Sequence, residues 1–350
     1  MTTSKPKILY IPVENPIHDE TAWKTLNEKF DLVYYDGPST DDWIKELDNP
    51  QSKFQGIQAI CRSTWLRGQP YKSHLIFRGE PVRHLPDSVK IIVQSAHGYN
   101  NVDVDYLTSR GILFCNSPNS CSIATADVGT TLVLQSFRYF THCQNIARSG
   151  DPQIFNTGRA LGHIADNPRG KTLGVVGLGN IGFLTAKACH AMGMNIVYYG
   201  RSRKAKYEKQ MSGLKFYDNL NGMLAVTDCV LISCPLTEHT RHLINFDSFK
   251  HMKDKVRLVN IARGPIVENE AVIDALERGQ LVGAGFDVYE FEPEVDPRLI
   301  DNYRVTLLPH VGVASQDSFK AFERKCVDNL VKYFYTNEPP QAVNKELLKQ

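Results

Sequence analysis

Three charged or titratable residues follow apolar runs in the second half of the chain: Arg263, Glu292 and His310. Arginine presents a planar, permanently charged fork that matches a carboxylate. Histidine can give and take a proton near neutral pH, and a carboxylate beside it favours its charged form. Reduction of a 2-oxo acid needs a cation for the substrate's carboxylate and carbonyl oxygen and a proton donor for the developing alkoxide. Each residue alone would fit a structural role, but the three together predict this chemistry.

A glycine-rich turn comes earlier in the same half, where Gly177, Gly179 and Gly182 follow an apolar run. An amphipathic stretch begins at Ile181, so the order is strand, tight turn and helix. That order directs free backbone N–H groups and the positive end of a helix toward a pyrophosphate. The turn, including Asn180, therefore predicts a dinucleotide cofactor. The alternative is a glycine loop that only lets the helix pack closely on the strand.

The strand expected after this helix ends without the acidic residue that an NAD site usually presents about 20 residues beyond the glycines. Arg201, Ser202 and Arg203 stand there instead. Cationic side chains can bind the additional 2′-phosphate of NADP. The sequence therefore favours NADP, while NAD remains possible if these residues form only a solvated basic loop.

The composition is that of an ordinary globular protein, with 350 residues, 42% of them hydrophobic and 22% charged, and a formal net charge of +2. This charge balance argues against a surface that binds nucleic acid. The sequence contains no recognisable secretory segment or membrane-spanning run, which predicts a cytoplasmic protein without a membrane partner. The eight cysteines include no C-x-x-C pair, so we expect buried thiols and no metal site.

Alternating apolar runs and amphipathic stretches predict an α/β fold with two doubly wound, mainly parallel sheets. Between the two series, residues 122–148 predict one long helix, and residues 149–171 predict a loop. Apolar residues at helical spacing in 315–335 predict a helix that returns the chain to the first domain. The runs expected to be strands are 8–13, 32–35, 57–61, 91–95 and 112–115 in the first series, and 172–176, 195–199, 229–234, 256–261, 283–288 and 305–308 in the second.

Three segments resemble the signature motifs of the D-isomer-specific 2-hydroxyacid dehydrogenases: residues 260–264 (NIARG), residues 285–288 (GFDV) with Glu292 beyond them, and residues 309–312 (PHVG). The resemblance implies that Arg263 anchors the substrate, that His310 is the acid/base and that Glu292 is the partner of His310. It also implies a Rossmann coenzyme domain, residues 121–315, inserted in a flavodoxin-like, discontinuous substrate domain. That domain would comprise residues 1–120 and 316–350.

The same resemblance implies further site residues. In the first domain, His97 and Gly98 match the loop whose backbone N–H groups hold the substrate carboxylate, and Tyr99 would line the substrate pocket. Like many members of the family, the chain is expected to form a homodimer, through residues 122–148. The positions expected to line the cofactor beside the glycine turn are Thr125, Pro235, Ala262, Asp287 and Gly312.

The sequence defines the substrate less narrowly than the reaction. Residues 149–170 and 314–323 look most like fungal D-mandelate dehydrogenases, which favours a 2-oxo acid with a bulky or aromatic side chain. Glyoxylate and hydroxypyruvate reductases are the alternative within the same family. A dinucleotide-sensing protein similar to the corepressors related to this family is the alternative from another class, because those proteins retain the Arg, Glu and His.

Overall fold

The computed structural model describes residues 5–11, 18–35, 37, 39–62 and 76–349. The chain divides into two compact units. The first comprises Met1–Cys121 and Ala314–Gln350, and the second is Ser122–Val313. Within the described residues, no helix is long and apolar enough to cross a membrane.

The first unit is built on a parallel sheet of five strands in the order β2-β1-β3-β4-β5. Helices cover both faces, so central strands such as β3 and β4 are buried along their whole length. The five predicted strands are confirmed, although Pro12 and Val13 of the first predicted run lie outside the described residues. The elements are β1 (Lys7–Ile11), α1 (Glu20–Lys29), β2 (Asp31–Tyr34), α2 (Thr40–Asp48), β3 (Ala59–Arg62), α3 (Glu80–Arg83), β4 (Ile91–Gln94), α4 (Val104–Ser109) and β5 (Leu113–Cys115).

The second unit contains a parallel sheet of seven strands in the order β12-β11-β10-β9-β6-β7-β8. The six predicted strands are confirmed, and the short strand β8, which has no fully buried residue, is additional. Strand order reverses between β6 and β9, and ligands of open α/β sheets bind at the carboxyl ends beside such a reversal. The strands are β6 (Thr172–Val176), β7 (Asn195–Tyr199), β8 (Lys215–Tyr217), β9 (Cys229–Ile232), β10 (Val256–Asn260), β11 (Leu281–Phe286) and β12 (Val305–Leu307).

Helices of the second unit flank this sheet, and two short 3₁₀ helices, Gly158–His163 and Gly264–Ile266, accompany them. The α-helices are α5 (Ser122–Arg138), α6 (Phe140–Arg148), α7 (Pro152–Thr157), α8 (Asn180–Ala191), α9 (Ala205–Glu208), α10 (Leu220–Leu224), α11 (Phe246–Lys250), α12 (Asn269–Glu277) and α13 (Pro297–Ile300).

The expectation of one helix over residues 122–148 is wrong, because Tyr139 separates α5 from α6. Tyr139 has a left-handed backbone with φ 53°, a conformation that costs energy in a bulky residue. Its hydroxyl donates to the carbonyl of Val282 over 2.7 Å, and the residue is only 3% exposed. Packing and this hydrogen bond stabilise the break. The predicted loop over 149–171 is also wrong in part, because it contains α7 and a 3₁₀ helix.

The chain returns to the first unit through α14 (Gln316–Tyr335), which packs against α1 and β4. Ser315 caps the helix, its side chain accepting from the backbone N–H of Ser318 over 3.1 Å. Cys326 and Leu330 are buried in the core formed with β1 and β4. The predicted returning helix is therefore confirmed.

All eight cysteines are free, and six of them are buried. Burial raises the pKa of the Cys189 and Cys229 thiols to about 12, so both are neutral near physiological pH. These two thiols act as small apolar core groups.

Candidate active site

Neighbouring strands bring Arg263, Glu292 and His310 to the carboxyl end of the seven-stranded sheet. Asn260 of β10 pairs with Phe286 of β11, which pairs with Leu307 of β12. The three strands are parallel and end in register, so the segments that follow them emerge side by side. Arg263 lies three residues beyond β10, and His310 lies three residues beyond β12.

His310 and Glu292 form a hydrogen-bonded pair. The distance from His310 Nδ1 to Glu292 Oε2 is 2.8 Å, and the side chains are 23% and 33% exposed. The other carboxylate oxygen of Glu292 accepts from the backbone N–H of Tyr289 over 2.9 Å, which orients the carboxylate. An imidazole whose Nδ1 faces a carboxylate exchanges a proton with a bound molecule through Nε2. The predicted partnership of His310 and Glu292 is thus present in the geometry.

Asp287 holds the turn that carries His310. It follows β11, is 1% exposed, and accepts from the backbone N–H groups of Val311 (2.7 Å) and Gly312 (2.8 Å). These two bonds offset the cost of the left-handed backbone of His310, whose φ is 54°. A Cβ added to Gly312 would lie 2.8 Å from Asp287 Oδ2, so glycine allows the close approach. Asp287 and Gly312 position the turn, and their contact with a cofactor stays a prediction.

Tyr289 joins the ends of β11 and β12. Its hydroxyl lies 2.8 Å from the carbonyl oxygen of Leu308 and 3.2 Å from that of Phe286. Burial, with the nearby charge of Asp287, raises the pKa of Tyr289, so the phenol keeps the proton that it donates. The sequence analysis missed this residue, because a tyrosine after an apolar strand is usually core.

Arg263 is half-buried on an extended backbone, with φ −145°. Asn260 fixes the chain at this point, because its amide donates to the carbonyl of Arg263 and accepts from the N–H of Ala262, each over 3.0 Å. Arg263 Nη1 donates to the carbonyl of Ala262 over 2.7 Å. A Cβ added to the next residue, Gly264, would collide with the backbone of Tyr289. The arginine segment and the segment leading to Glu292 are therefore packed directly against each other.

The glycine turn has the shape that a bound pyrophosphate requires. Gly177 has φ 92°, and a Cβ there would lie 2.7 Å from the backbone nitrogen of Cys234. Gly179 faces open space, which lets a ligand approach its backbone. A Cβ on Gly182 would lie 2.6 Å from the carbonyl oxygen of Gly177 and 2.5 Å from Ser233 Oγ. These are the turn, approach and packing roles of a dinucleotide site, so the residues fit such a cofactor.

Helix α8 begins at Asn180, and the next residue, Ile181, is half-buried. The residue before the helix, Gly179, has no side chain that could cap it. The uncapped backbone N–H groups are the kind that bind a phosphate. Asn180 Oδ1 accepts from the hydroxyl of Tyr207 over 2.5 Å, and the Tyr207 ring stacks on Phe183 with centroids 4.2 Å apart. Sequence reasoning missed Tyr207, because its partner lies far away along the chain.

Arg201, Ser202 and Arg203 are exposed beyond the end of β7. Arg203 donates from Nε to both carboxylate oxygens of Glu208, over 3.0 and 2.8 Å. Lys204 Nζ donates to Ser202 Oγ over 3.2 Å. The basic cluster therefore has one guanidinium already held by a carboxylate, a contact that the sequence analysis did not anticipate.

The other predicted cofactor positions lie in the same unit. Thr125 on α5 is 5% exposed, and its Oγ1 is buried without a hydrogen-bond partner among the described residues. A buried hydroxyl without a partner costs free energy, so a bound ligand that reaches it would be favoured. Pro235 follows β9 after Cys234, and its carbonyl accepts from Thr240 Oγ1 over 2.7 Å. Ala262 directly precedes Arg263.

His97, Gly98 and Tyr99 lie in the first unit, in the loop after β4. The carbonyl of His97 accepts from Asn116 Nδ2 over 2.7 Å. Tyr99 is 40% exposed, and its ring lies 6.1 Å from that of Phe114. The loop thus presents backbone and an aromatic side chain at the carboxyl end of the five-stranded sheet, where α/β sheets bind ligands.

Known proteins match this chain over most of its length. Residues 130–312 match the model of the D-isomer specific 2-hydroxyacid dehydrogenase, NAD binding domain. The glyoxylate reductase of Pyrococcus horikoshii is 35% identical over 358 aligned residues, which cover 99% of this chain and 98% of that protein. The holo D-mandelate dehydrogenase of Rhodotorula graminis superposes with a TM-score of 0.91 at 33% identity, covering 97% of each chain.

A third similar protein is the NADPH-dependent glyoxylate/hydroxypyruvate reductase of Sinorhizobium meliloti, solved in complex with NADP and malonate. It has a TM-score of 0.77 and 28% identity, and the match covers 98% of each chain. The family model covers more than half of this chain, and the similarity seen in the signature motifs extends to the whole fold. The protein is therefore an oxidoreductase that belongs to the D-isomer-specific 2-hydroxyacid dehydrogenase family.

Proposed function

We propose that the protein reduces a 2-oxo acid to the D-2-hydroxy acid, and catalyses the reverse reaction, at the edge where β10, β11 and β12 end. The observation that carries the proposal is the pair formed by His310 Nδ1 and Glu292 Oε2 at 2.8 Å. Glu292 follows β11, which lies between β12, the strand before His310, and β10, the strand before Arg263. In this arrangement His310 supplies a proton, and Arg263 supplies a permanent positive charge at the same end of the sheet.

Arg263 binds the carboxylate and the carbonyl oxygen of the substrate, which places positive charge where the alkoxide develops. His310 then gives its Nε2 proton to that oxygen, while Glu292 stabilises the imidazolium beforehand. When bound, the reduced nicotinamide supplies the hydride that the carbonyl carbon needs. Hydride and proton together convert C=O to CH–OH, and the reverse direction returns the proton to His310.

The two units divide the remaining tasks. In the second unit, the turn Gly177, Gly179, Asn180, Ile181 and Gly182 holds the pyrophosphate, and Thr125, Pro235, Ala262, Asp287 and Gly312 line the rest of the cofactor site. In the first unit, the backbone N–H groups of His97 and Gly98 bind the substrate carboxylate, and Tyr99 contacts the substrate side chain. This assignment would make residues 121–315 the coenzyme domain, and residues 1–120 with 316–350 the substrate domain.

Replacing Glu292 by glutamine should leave an active enzyme whose kcat/KM for reduction is about tenfold lower than that of the wild type, the equivalent of one hydrogen bond between charged groups. The carboxylate of Glu292 lies 2.8 Å from His310 Nδ1, where it orients the ring and faces the positive charge of the proton donor. A neutral amide keeps the shape but not the charge. The measurement is kcat/KM for reduction at one fixed pH.

Glu294→Gln is the matched control, because Glu294 is exposed two residues further along the same segment. Its kcat/KM should remain close to that of the wild type. An unchanged kcat/KM in Glu292→Gln would show that Glu292 is not the partner of His310.

NADPH should be preferred over NADH, and Arg201→Ala with Arg203→Ala should raise KM for NADPH strongly with little change in kcat. A lost charge-assisted hydrogen bond to the 2′-phosphate corresponds to roughly a ten- to hundredfold increase. The NADPH-dependent relative from Sinorhizobium meliloti supports this preference. KM for each cofactor, measured at constant ionic strength, tests it.

NADH serves as the internal control, because it lacks the phosphate and should respond little to either substitution. Arg203 is already paired with Glu208, so Arg201→Ala and Arg203→Ala should be measured separately as well as together. If the wild type uses NADH at least as well as NADPH, Arg201, Ser202 and Arg203 form only a solvated loop.

For the substrate, we propose a 2-oxo acid with a bulky or aromatic side chain. The likeness to the D-mandelate dehydrogenase supports this, as does the aromatic ring that Tyr99 presents. Glyoxylate is the second candidate, supported by the similarity to the glyoxylate reductase of Pyrococcus horikoshii.

The test is kcat/KM for benzoylformate, phenylpyruvate, branched 2-oxo acids and glyoxylate, each with NADPH and NADH. A higher value for the aromatic acids supports the first candidate, and a higher value for glyoxylate supports the second. Lack of turnover with the whole panel would contradict the proposed function and favour a dinucleotide-sensing protein.

The proposed enzyme is a homodimer. Large apolar side chains are exposed on α6, α7 and the segment after them, and such a surface is suited to burial against a second copy. They are Phe140, Ile154, Phe155 and Ile164.

A further inference from the structure

Three hydrogen bonds join the segment after β5 to the last residue of β4 and the loop that follows it. Asn116, directly after β5, donates from Nδ2 to the carbonyl of His97 over 2.7 Å. Ser117 donates from its backbone N–H to the carbonyl of Ala96 over 2.8 Å and from its hydroxyl to that of Gln94 over 3.0 Å. The segment after β4 is therefore held through its carbonyl groups by the residues after β5.

The bond from Asn116 acts on one particular peptide group. The carbonyl of His97 and the N–H of Gly98 belong to the same planar unit, and in a trans peptide they point to opposite sides. Among the described residues the only cis peptide is that between Glu292 and Pro293, so the unit preceding Gly98 is trans. Holding the carbonyl toward Asn116 thus aims the Gly98 N–H away from Asn116.

This peptide needs such a restraint more than most. Gly98 has no Cβ, and glycine adopts positive and negative φ about equally readily, so the preceding peptide plane can rotate at little steric cost. Asn116 is 7% exposed. Rotation would break this hydrogen bond and leave a buried amide unpaired, and the cost of an unpaired buried amide opposes rotation of the peptide.

We propose that Asn116 is a positioning residue for substrate binding: it orients the His97–Gly98 peptide so that the Gly98 N–H meets the substrate carboxylate. The proposal rests on the proposed function, which places that carboxylate at this loop. Asn116 touches neither substrate nor cofactor in this role. It acts on KM for the 2-oxo acid through the direction of one N–H group.

Asn116→Asp tests the role with almost no change in shape. An ionised carboxylate cannot donate to the His97 carbonyl, whereas a protonated carboxyl group can. KM for the 2-oxo acid should therefore rise about tenfold near pH 8 with little change in kcat, the equivalent of one hydrogen bond. The ratio of variant to wild-type KM should then shrink toward about pH 5, because a buried carboxyl group regains its proton above its ordinary pKa of ~3.9.

Asn344→Asp is the matched control. Asn344 lies in the same unit, is 2% exposed, and donates from Nδ2 to the carbonyl of Ile112 over 2.9 Å. The same substitution there should leave KM for the 2-oxo acid unchanged, with no pH-dependent ratio. Any pH dependence of the wild-type reaction is common to all three proteins, so it cancels from the ratios. NADPH fluorescence titration reports whether each variant is folded and binds its cofactor.

Asn116→Ala provides a second variant, which removes the donor without adding charge and should raise KM at every pH. The inference is overturned if the folded Asn116→Asp enzyme keeps the wild-type KM from about pH 5 to pH 8, or if its KM ratio does not depend on pH. Should the aspartate variant fail to fold, an unchanged KM in Asn116→Ala overturns it. If the wild type itself turns over no 2-oxo acid, the proposed function fails instead, so the two failures are distinct.

Discussion

Replacing His310 by alanine should lower kcat for 2-oxo acid reduction by about 10²- to 10⁴-fold, the usual contribution of a general acid. The imidazole serves the proton and not the dinucleotide, so the affinity for NADPH should survive. His310 has φ 54°, where alanine is strained, and Asp287 holds the two residues that follow. His310→Asn is therefore a useful second variant, because asparagine tolerates a left-handed backbone and carries no titratable proton near neutrality.

The measurements are kcat for reduction and the Kd of NADPH by fluorescence titration. His84→Ala is the matched control, because His84 Nδ1 also lies beside a carboxylate, 2.7 Å from Asp48 Oδ1, but in the first unit and outside the proposed site. Its kcat should remain close to that of the wild type. If His310→Asn kept a kcat within a factor of a few of the wild-type value, another group would have to supply the proton.

Replacing Arg263 by lysine should retain the fold but reduce kcat/KM for the 2-oxo acid by about ten- to a hundredfold, the effect of losing one hydrogen bond between charged groups. A guanidinium can bridge the carboxylate and the carbonyl oxygen at once, whereas an ammonium is a point charge that cannot span both. Part of the loss should appear in kcat, because the carbonyl oxygen gains charge only as the transition state forms.

Arg278→Lys is the control for Arg263→Lys. Arg278 directly follows α12, is exposed, and forms an ion pair with Asp274. It should leave both kinetic constants unchanged. A folded Arg263→Lys enzyme with a kcat/KM within a factor of a few of the wild type would remove Arg263 from the role of substrate anchor.

The sequence alone determined the elements that follow from local pattern. Apolar runs predicted eleven strands, and all of these except β2 contain buried residues. The three residues of β8 (Lys215–Tyr217) begin with a lysine and form too short a run to give that signal. The glycine turn was predictable because Gly177 and Gly182 leave no room for a Cβ, while Gly179 leaves its backbone open to a ligand. The set Arg263, Glu292 and His310 was recognisable because each residue follows a predicted strand.

Only the tertiary structure decided contacts between residues distant along the chain. The helix breaks at Tyr139, whose hydroxyl donates a hydrogen bond to the carbonyl of Val282 in β11. No glycine or proline marks this position in the sequence. The holding of Arg203 by Glu208 and of the His97 carbonyl by Asn116 also depends on side-chain geometry. Local propensity and periodicity are properties of neighbouring residues, so strands, helices and turns could be predicted from the sequence. Hydrogen-bond partners distant along the chain depend on how the sheets and helices pack, so these contacts could not.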